Sequence, residues 1–448
     1  MSRGHWIVLS SLAFAEVVSA LYLASINPAQ GYDETWYLLN AHHIRGVPSL
    51  PYHCNRPPML PLLLAAFGPY YKLVPALAHM GSTALIFLIL RRLVSPSIAI
   101  AGLAVFMACG ELRMYNVLIL TEMPSILFLL LAIYAFVVRS PLLVGGALAL
   151  AVLTNWSMAT APPVVFLLYA MRRQWRECTT FTYGLVLAWM PFLIVFAVAY
   201  GNPLAPFLAH LRIQRQASND WAYYLKLPHW LPIALIFVSG VAAWWVWVNR
   251  HNRKVRFSCD LYVLLLGMVL ARLVLLQAVT PKSVRYLVPL IPVLLLLSVS
   301  MIWHYGRRWR TLQWVLCGVL LVTVLPGKRL YHQMYGLANH PAHAIAEFGD
   351  VLAALSPTEP IYTDVNDLAV MGQTVHPTVA VTGPGSSHRM LVDRPTAVRA
   401  EIPDGALYLT WDPGGGVVLA RNTVPRGETL WLVRWRRGAT ARQEPSSP

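Results

Sequence analysis

Apolar residues fall into eleven long runs, near 6–25, 74–90, 97–110, 123–138, 141–155, 158–171, 180–200, 230–248, 258–277, 285–303 and 311–326. A helix needs about 20 apolar residues to cross a hydrocarbon core of roughly 30 Å. The runs therefore predict a mostly α polytopic bundle of about eleven spans. The first run is too long for a signal peptide, carries Glu16 and lacks a small-x-small cleavage site, so it reads as a retained anchor. The runs at 141–155 and 158–171 are short enough to be shallow or re-entrant.

Two connections between spans are unusually long, at about 26–73 and 201–229, and long connections are where binding and chemistry concentrate. Within the first, Met59 to Phe67 is apolar but too short to span, and it is expected to lie along the membrane surface. Beyond about residue 340 the texture becomes that of a soluble α/β domain. A helix is expected at 343–355 and strands at 360–363, 379–381, 406–411 and 429–435, with Gly383-Pro384-Gly385 and Gly414-Gly415-Gly416 as turns. The division expected is a membrane module over 1–326 and a soluble extracytoplasmic domain over 327–448.

Composition supports this reading. Hydrophobic residues make up 57% of the 448 and charged residues only 12%, with mean hydropathy +0.54; soluble domains carry about 25% charged residues. Five cysteines are too few for a disulfide framework. The net charge of +16 points first to nucleic acid, but its distribution excludes that partner: residues 1–326 hold 24 basic against 8 acidic residues, and the remainder 11 of each. The excess sits in short clusters between apolar runs, at Arg91-Arg92, Arg172-Arg173 with Arg176, Arg250 to Arg256, and Arg307-Arg308 with Arg310. Such clusters mark cytoplasmic span ends. They put the N-terminus inside, and both long connections and the C-terminal domain outside.

The candidate chemistry lies on that outer face. Asp33 and Glu34 open the first long connection; as neighbours, they cannot both face one target on a regular element. Glu122 begins the fourth span, where a carboxylate near hydrocarbon is costly unless it has a task. Its plainer reading is a helix-start acid favoured by the dipole, with Thr121 as cap and Pro124 in the first turn. The cationic counterpart is Lys282, Arg285 and Tyr286, in Thr280-Pro281-Lys282-Ser283-Val284-Arg285-Tyr286, at the outer start of the tenth span. Positive charge there runs against the orientation bias, and the chemistry of Arg, Lys and a phenol suits a lipid phosphate; snorkelling to headgroups is the alternative. Arg272 lies inside the ninth span and must face the bundle or a wet cavity, with Glu16 as a candidate partner. Trp221 and Tyr224 close the second long connection with interfacial aromatics.

The order Asp33-Glu34-x-x-Tyr37, then Arg56-Pro57-Pro58 before an apolar segment, Thr121-Glu122-x-Pro124, and Arg285-Tyr286-Leu287-x-Pro289 resembles the GT-C superfamily. The similarity is to its protein mannosyltransferase and lipid A aminoarabinose transferase branch. It covers about residues 10–300 and lies in motif order and sidedness. It implies Asp33 as the catalytic carboxylate, Glu122, with Glu34 beside Asp33, as a further acid, and Arg56, Arg272, Lys282, Arg285 and Tyr286 around a donor lipid phosphate. Tyr37, Trp221 and Tyr224 would then line the acceptor cavity. The chain departs from aminoarabinose-transferase relatives at Trp36, where many have Arg, and at Asn55, where many have an acid.

The function implied is an integral-membrane glycosyltransferase. It would move a sugar from a polyprenyl-phosphate-linked donor to a glycan, lipid or protein acceptor by inverting single displacement, on the extracytoplasmic face of a bacterial inner membrane. The physical fit is independent: nucleotide sugars are cytoplasmic, and no glycine fingerprint for nucleotide phosphates is present. The rival class is a transporter or flippase for a lipid-linked glycan, which predicts paired halves with broken helices. No metal or other cofactor is assigned; a divalent cation, if used, would fall to Asp33, His53 and Glu122.

Overall fold

In the computed structural model the described residues are 2–26, 32–46, 56–214, 230–249, 252, 256–278, 284–306 and 309–324, together with 361–363, 379–381, 404–405, 407–410, 416–423 and 429–435 near the C-terminus. The chain divides into two compact units, Met1–Ser25 with His53–Tyr331, and Ile26–Tyr52 with His332–Pro448.

The first unit is a polytopic helix bundle. Its helices are α1 (Arg3–Ile26), α3 (Met59–Phe67), α4 (Leu73–Leu93), α5 (Pro96–Ala108), α6 (Gly110–Val117), α7 (Glu122–Val137), α8 (Pro141–Thr154), α9 (Ala161–Met171), α10 (Trp175–Tyr200), α11 (Ala205–Gln214), α12 (Trp230–Asn249), α13 (Arg256–Ala278), α14 (Leu290–Gly306) and α15 (Arg310–Val324). Short 3-10 turns at Trp156–Thr160 and Val284–Leu287 lead into α9 and α14. Each of the eleven apolar runs carries a helix. Four described helical segments, in α1, α4, α10 and α13, are long and apolar enough to cross a bilayer singly. The short apolar segment 59–67 is also a helix; it buries Leu60, Pro61 and Leu64 while leaving Leu62 exposed.

Punctuation residues set the boundaries. Pro follows Ser at the starts of α5 and α8, where a missing N–H costs nothing and the fixed φ favours the first turn. Two inter-helix turns place arginine in the left-handed conformation that glycine usually takes: Arg139 (φ 59°) and Arg173 (φ 56°). Ser140 N–H donates to the Ala135 carbonyl and Gln174 N–H to the Tyr169 carbonyl, both at 2.9 Å, closing the last turns of α7 and α9. Arginine there is strained by about 1 kcal/mol; Arg173 belongs to one of the basic clusters.

The interior is assembled from α4, α7 and α8 with α13 and α14 alongside. α7 buries nearly its whole surface, including Ile126, Leu130 and Ile133, whereas α1 and α10 expose Phe14 and Val198, as helices facing acyl chains do. α8 and α10 meet backbone to backbone: a Cβ at Gly145 would overlap the Phe181 carbonyl and one at Gly184 the Leu142 carbonyl. The third run is not one straight helix. It breaks at Cys109, and α6 leaves α5 at 61°.

The second unit contains α2 (Tyr32–Ile44) and a five-stranded mixed sheet of order β2-β1-β3-β5-β4. Its strands are β1 (Ile361–Thr363), β2 (Val379–Val381), β3 (Leu407–Thr410), β4 (Gly416–Thr423) and β5 (Thr429–Trp435). β1 runs parallel to β2 and β3, and β5 antiparallel to β3 and β4. Leu407, Leu432 and Val433 are buried within it. Four strands fall on the expected runs. β4 is the exception: Gly416, expected in a turn, starts it, and the strand pairs along its length with β5. The helix expected at 343–355 lies outside the described residues.

Candidate active site at one end of the bundle

α9 and α13 each have one terminus at an arginine cluster and α7 ends beside Arg139, while their opposite termini carry the polar side chains of interest. The organising group is Arg272, buried at 3% exposure and six residues before the end of α13. A guanidinium so enclosed must spend its donors on protein oxygens. Nε and Nη2 donate to the Tyr286 carbonyl at 3.3 and 3.0 Å, and Nη1 donates to the Ser157 hydroxyl.

The bonds continue away from the cation. Ser157 donates its hydroxyl proton to Asn155 Oδ1, which also accepts the Ser157 N–H at 3.1 Å and so caps the 3-10 turn that leads into α9. The Asn155 amide nitrogen donates to Thr121 Oγ1 at 3.3 Å, and Thr121 immediately precedes Glu122, the first residue of α7, at 2% exposure. Ser125 Oγ donates to the Glu122 carbonyl at 2.8 Å. Thr121 therefore does not cap α7 with its side chain, as its position before the helix suggested; its hydroxyl is engaged by Asn155 instead. Donors running one way from a cation polarise each other, and Glu122 sits at a helix N-terminus, where its charge is favoured. Trp156, between Asn155 and Ser157, is buried and edge-on to Phe207 of α11 at 5.7 Å.

The sequence-derived residues separate as follows. Arg272 and Tyr286 meet directly, and Arg272 reaches the Thr121–Glu122 step through Ser157 and Asn155. Glu16 is not the partner of Arg272: it bonds His79 and Arg113, with Arg113 Nη2 at 2.6 Å. Arg56 is half-buried just before Pro57, Pro58 and α3. In the second unit Glu34, Trp36 and Tyr37 are buried on α2, and Asp33 lies on the same helix with its side chain outside the described part. The Arg285 side chain, and all of His53, Trp221, Tyr224 and Lys282, lie outside the described residues. Asn155 and Ser157 were missed: a polar pair ending an apolar run looks like an ordinary helix stop, and nothing local says that it faces a buried cation.

Among the described residues no three His, Cys, Asp or Glu side chains converge on a position that could hold a metal ion. Two ionisable groups outside the spans are shifted by their surroundings. Burial holds the Lys72 ammonium below its ordinary range, and burial with the nearby Arg45 holds the His42 imidazole below its own.

No protein-family model and no curated protein sequence matches the chain. Solved structures do. ArnT from Cupriavidus metallidurans in the apo state superposes with a TM-score of 0.66 at 14% identity, over 99% of this chain and 100% of that one. The same protein bound to undecaprenyl phosphate gives 0.62 at 13%, with the same coverage. The Archaeoglobus fulgidus oligosaccharyltransferase in its apo form gives 0.51 at 12%, over 84% of this chain and 64% of that one. ArnT, a lipid A aminoarabinose transferase, and the oligosaccharyltransferase are both GT-C proteins. The chain thus has an ArnT-like polytopic fold.

Proposed function

We propose that this protein is an integral-membrane glycosyltransferase that moves a sugar from a polyprenyl-phosphate-linked donor to an acceptor. The observation that carries the reading is the buried Arg272, hydrogen-bonded through Ser157 and Asn155 to the step before Glu122, in a fold whose ArnT counterpart has been solved with undecaprenyl phosphate. A cation held in place before the lipid arrives needs no reorganisation as charge gathers on a departing phosphate.

In the proposed step an acceptor hydroxyl attacks the anomeric carbon. The bond from that carbon to the phosphate oxygen breaks, and the polyprenyl monophosphate leaves with the electron pair. Asp33 takes the hydroxyl proton, and a single displacement inverts the anomeric centre. Glu122, and Glu34 beside Asp33, are the further acids. Arg56, Arg272, Lys282, Arg285 and Tyr286 cradle the phosphate, and Tyr37, Trp221 and Tyr224 border the acceptor. The end bearing Arg272 and Glu122 is extracytoplasmic, because the arginine clusters occupy the opposite helix ends. The soluble domain over 327–448 lies on that outer side, and the membrane is the bacterial inner membrane.

The test is Asp33→Asn in membranes supplied with a polyprenyl-phosphate-linked sugar. Loss of transfer by about 10²-fold or more is expected for removal of a general base. Transfer at the wild-type rate overturns the assignment, and normal transfer with defective movement of lipid-linked glycan across the membrane makes the protein a flippase.

A further inference from the structure

The break between α5 and α6 is held by a second buried cluster that takes no part in the Arg272 group. Cys109 is extended (φ −65°, ψ 112°), so carbonyls at the end of α5 lose their helical partners. In hydrocarbon such groups must be satisfied by protein. Arg113, in the first turn of α6, supplies the donor: its Nε–H bonds the Met107 carbonyl at 2.6 Å. The same guanidinium reaches α1 twice, with Nη1 to the Ser19 hydroxyl at 2.9 Å and Nη2 to Glu16 Oε2 at 2.6 Å. The other Glu16 oxygen bonds Nδ1 of His79 on α4, a fully buried ring stacked on Phe106 at 5.5 Å. One fork thus fixes the end of α5 and the start of α6 against α1 and, through Glu16, against α4.

Beyond α6 the chain runs only from Leu118 to Thr121 before Glu122 begins α7. This connection is gripped at both ends, by Arg113 behind and by the bond from Asn155 to Thr121 ahead. A bundle does not need ions to hold a bend, since apolar packing at buried ion pairs is often as stable. What the guanidinium adds is three donor directions fixed in one plane. We infer that Glu16, Arg113 and His79 form a positioning device that sets where Glu122 stands at the bundle end. The inference rests on, and deepens, the reading of Glu122 as a working residue of the transferase.

The test compares Glu16→Gln, Arg113→Lys, Arg113→Met and Glu122→Gln in the full-length protein. The donor is the polyprenyl-phosphate-sugar fraction extracted from producing cells, and affinity for undecaprenyl phosphate alone is measured separately. Displacement of a reacting group by about 1 Å can cost about 10²-fold. Arg113→Met is therefore expected to lower kcat per folded molecule by about 10²-fold, and Glu16→Gln and Arg113→Lys by about 10-fold. KM and undecaprenyl phosphate affinity should stay within about two-fold, while amide exchange over 114–121 accelerates. A purely structural role would reduce the yield of folded protein and leave kcat per folded molecule unchanged. If Arg113→Met does not fold, Glu16→Gln and Arg113→Lys still decide. Loss of transfer in Glu122→Gln, with both of those at wild-type kcat, overturns this inference alone. Full transfer in Glu122→Gln removes the reading of Glu122 itself, and the device with it.

Discussion

Among the described residues, Arg113 and Arg272 sit inside the bundle, and their surroundings differ in kind. Arg113 closes on a carboxylate: Glu16 takes one of its nitrogens while His79 holds the other carboxylate oxygen, so opposite charges meet within the interior. Arg272 bonds a carbonyl and a hydroxyl, and from there neutral groups lead outward to Thr121 and Glu122. The first arrangement turns inward on itself and fixes a bend. The second runs from a cation to the bundle end, where the proposed donor phosphate would meet it. A buried charge is thus not by itself a sign of a site; the direction in which its bonds run is what distinguishes the two clusters.

The contrast is broken most sharply at Arg272. Arg272→Met is expected to lower transfer by about 10²–10³-fold, the usual cost of losing one preorganised donor to developing charge. Because it leaves behind only polar groups that are costly at about 1–3 kcal/mol when unsatisfied, the protein should still fold. Wild-type transfer in this variant would erase the distinction between the clusters. Next comes Glu16→Leu, which strands a cation. It should destabilise by about 3–5 kcal/mol, and adding Arg113→Met should recover most of that. Thermal midpoints in detergent check the recovery, and the recovered double variant should still show the low kcat expected of Arg113→Met.

Asn155→Ala interrupts the outward run without touching either cation. A loss of about 1.4 kcal/mol in transition-state stabilisation, or about ten-fold in kcat, is expected from one buried hydrogen bond. Equal losses in Asn155→Ala and in Asn155→Ala with Arg272→Met, relative to their parents, would show that the run does not connect the two residues.

The smallest effect concerns a histidine of the second unit. His42 on α2 has its pKa lowered by burial and by Arg45, so the unfolded chain binds its proton more readily than the folded one. Its contribution to stability is then complete above the ordinary histidine pKa and is lost as pH falls toward the lowered value. His42→Gln should flatten the decline in thermal midpoint between about pH 6.5 and 5, without altering transfer at pH 7. A variant as pH-sensitive as the wild type removes His42 from that account.

Much of this was legible in the residues. Eleven apolar runs, punctuated by Ser-Pro starts and arginine turns, delimit helices because the bilayer demands length and backbone satisfaction span by span. Arg272 and Glu122 stand out for the same reason, since charge in hydrocarbon requires an explanation. The pairings did not show. Glu16 was a reasonable mate for Arg272 by sign and depth, yet it bonds Arg113 and His79, which lie 97 and 63 residues away. The bend at Cys109 was equally hidden, because an apolar run reads the same whether straight or broken. In the second unit, β4 escaped notice because its first residue, Gly416, belongs to a glycine run that reads as a turn.

Sequence alone determined the solvent for which the chain was made, the apolar runs that carry its helices, and which charges would need partners. These follow from local hydropathy and from the fixed geometry of the helix. Only the tertiary structure decided which partners those charges found. A guanidinium in hydrocarbon will accept any well-placed oxygen, and that choice is made by helices distant in sequence packing side by side.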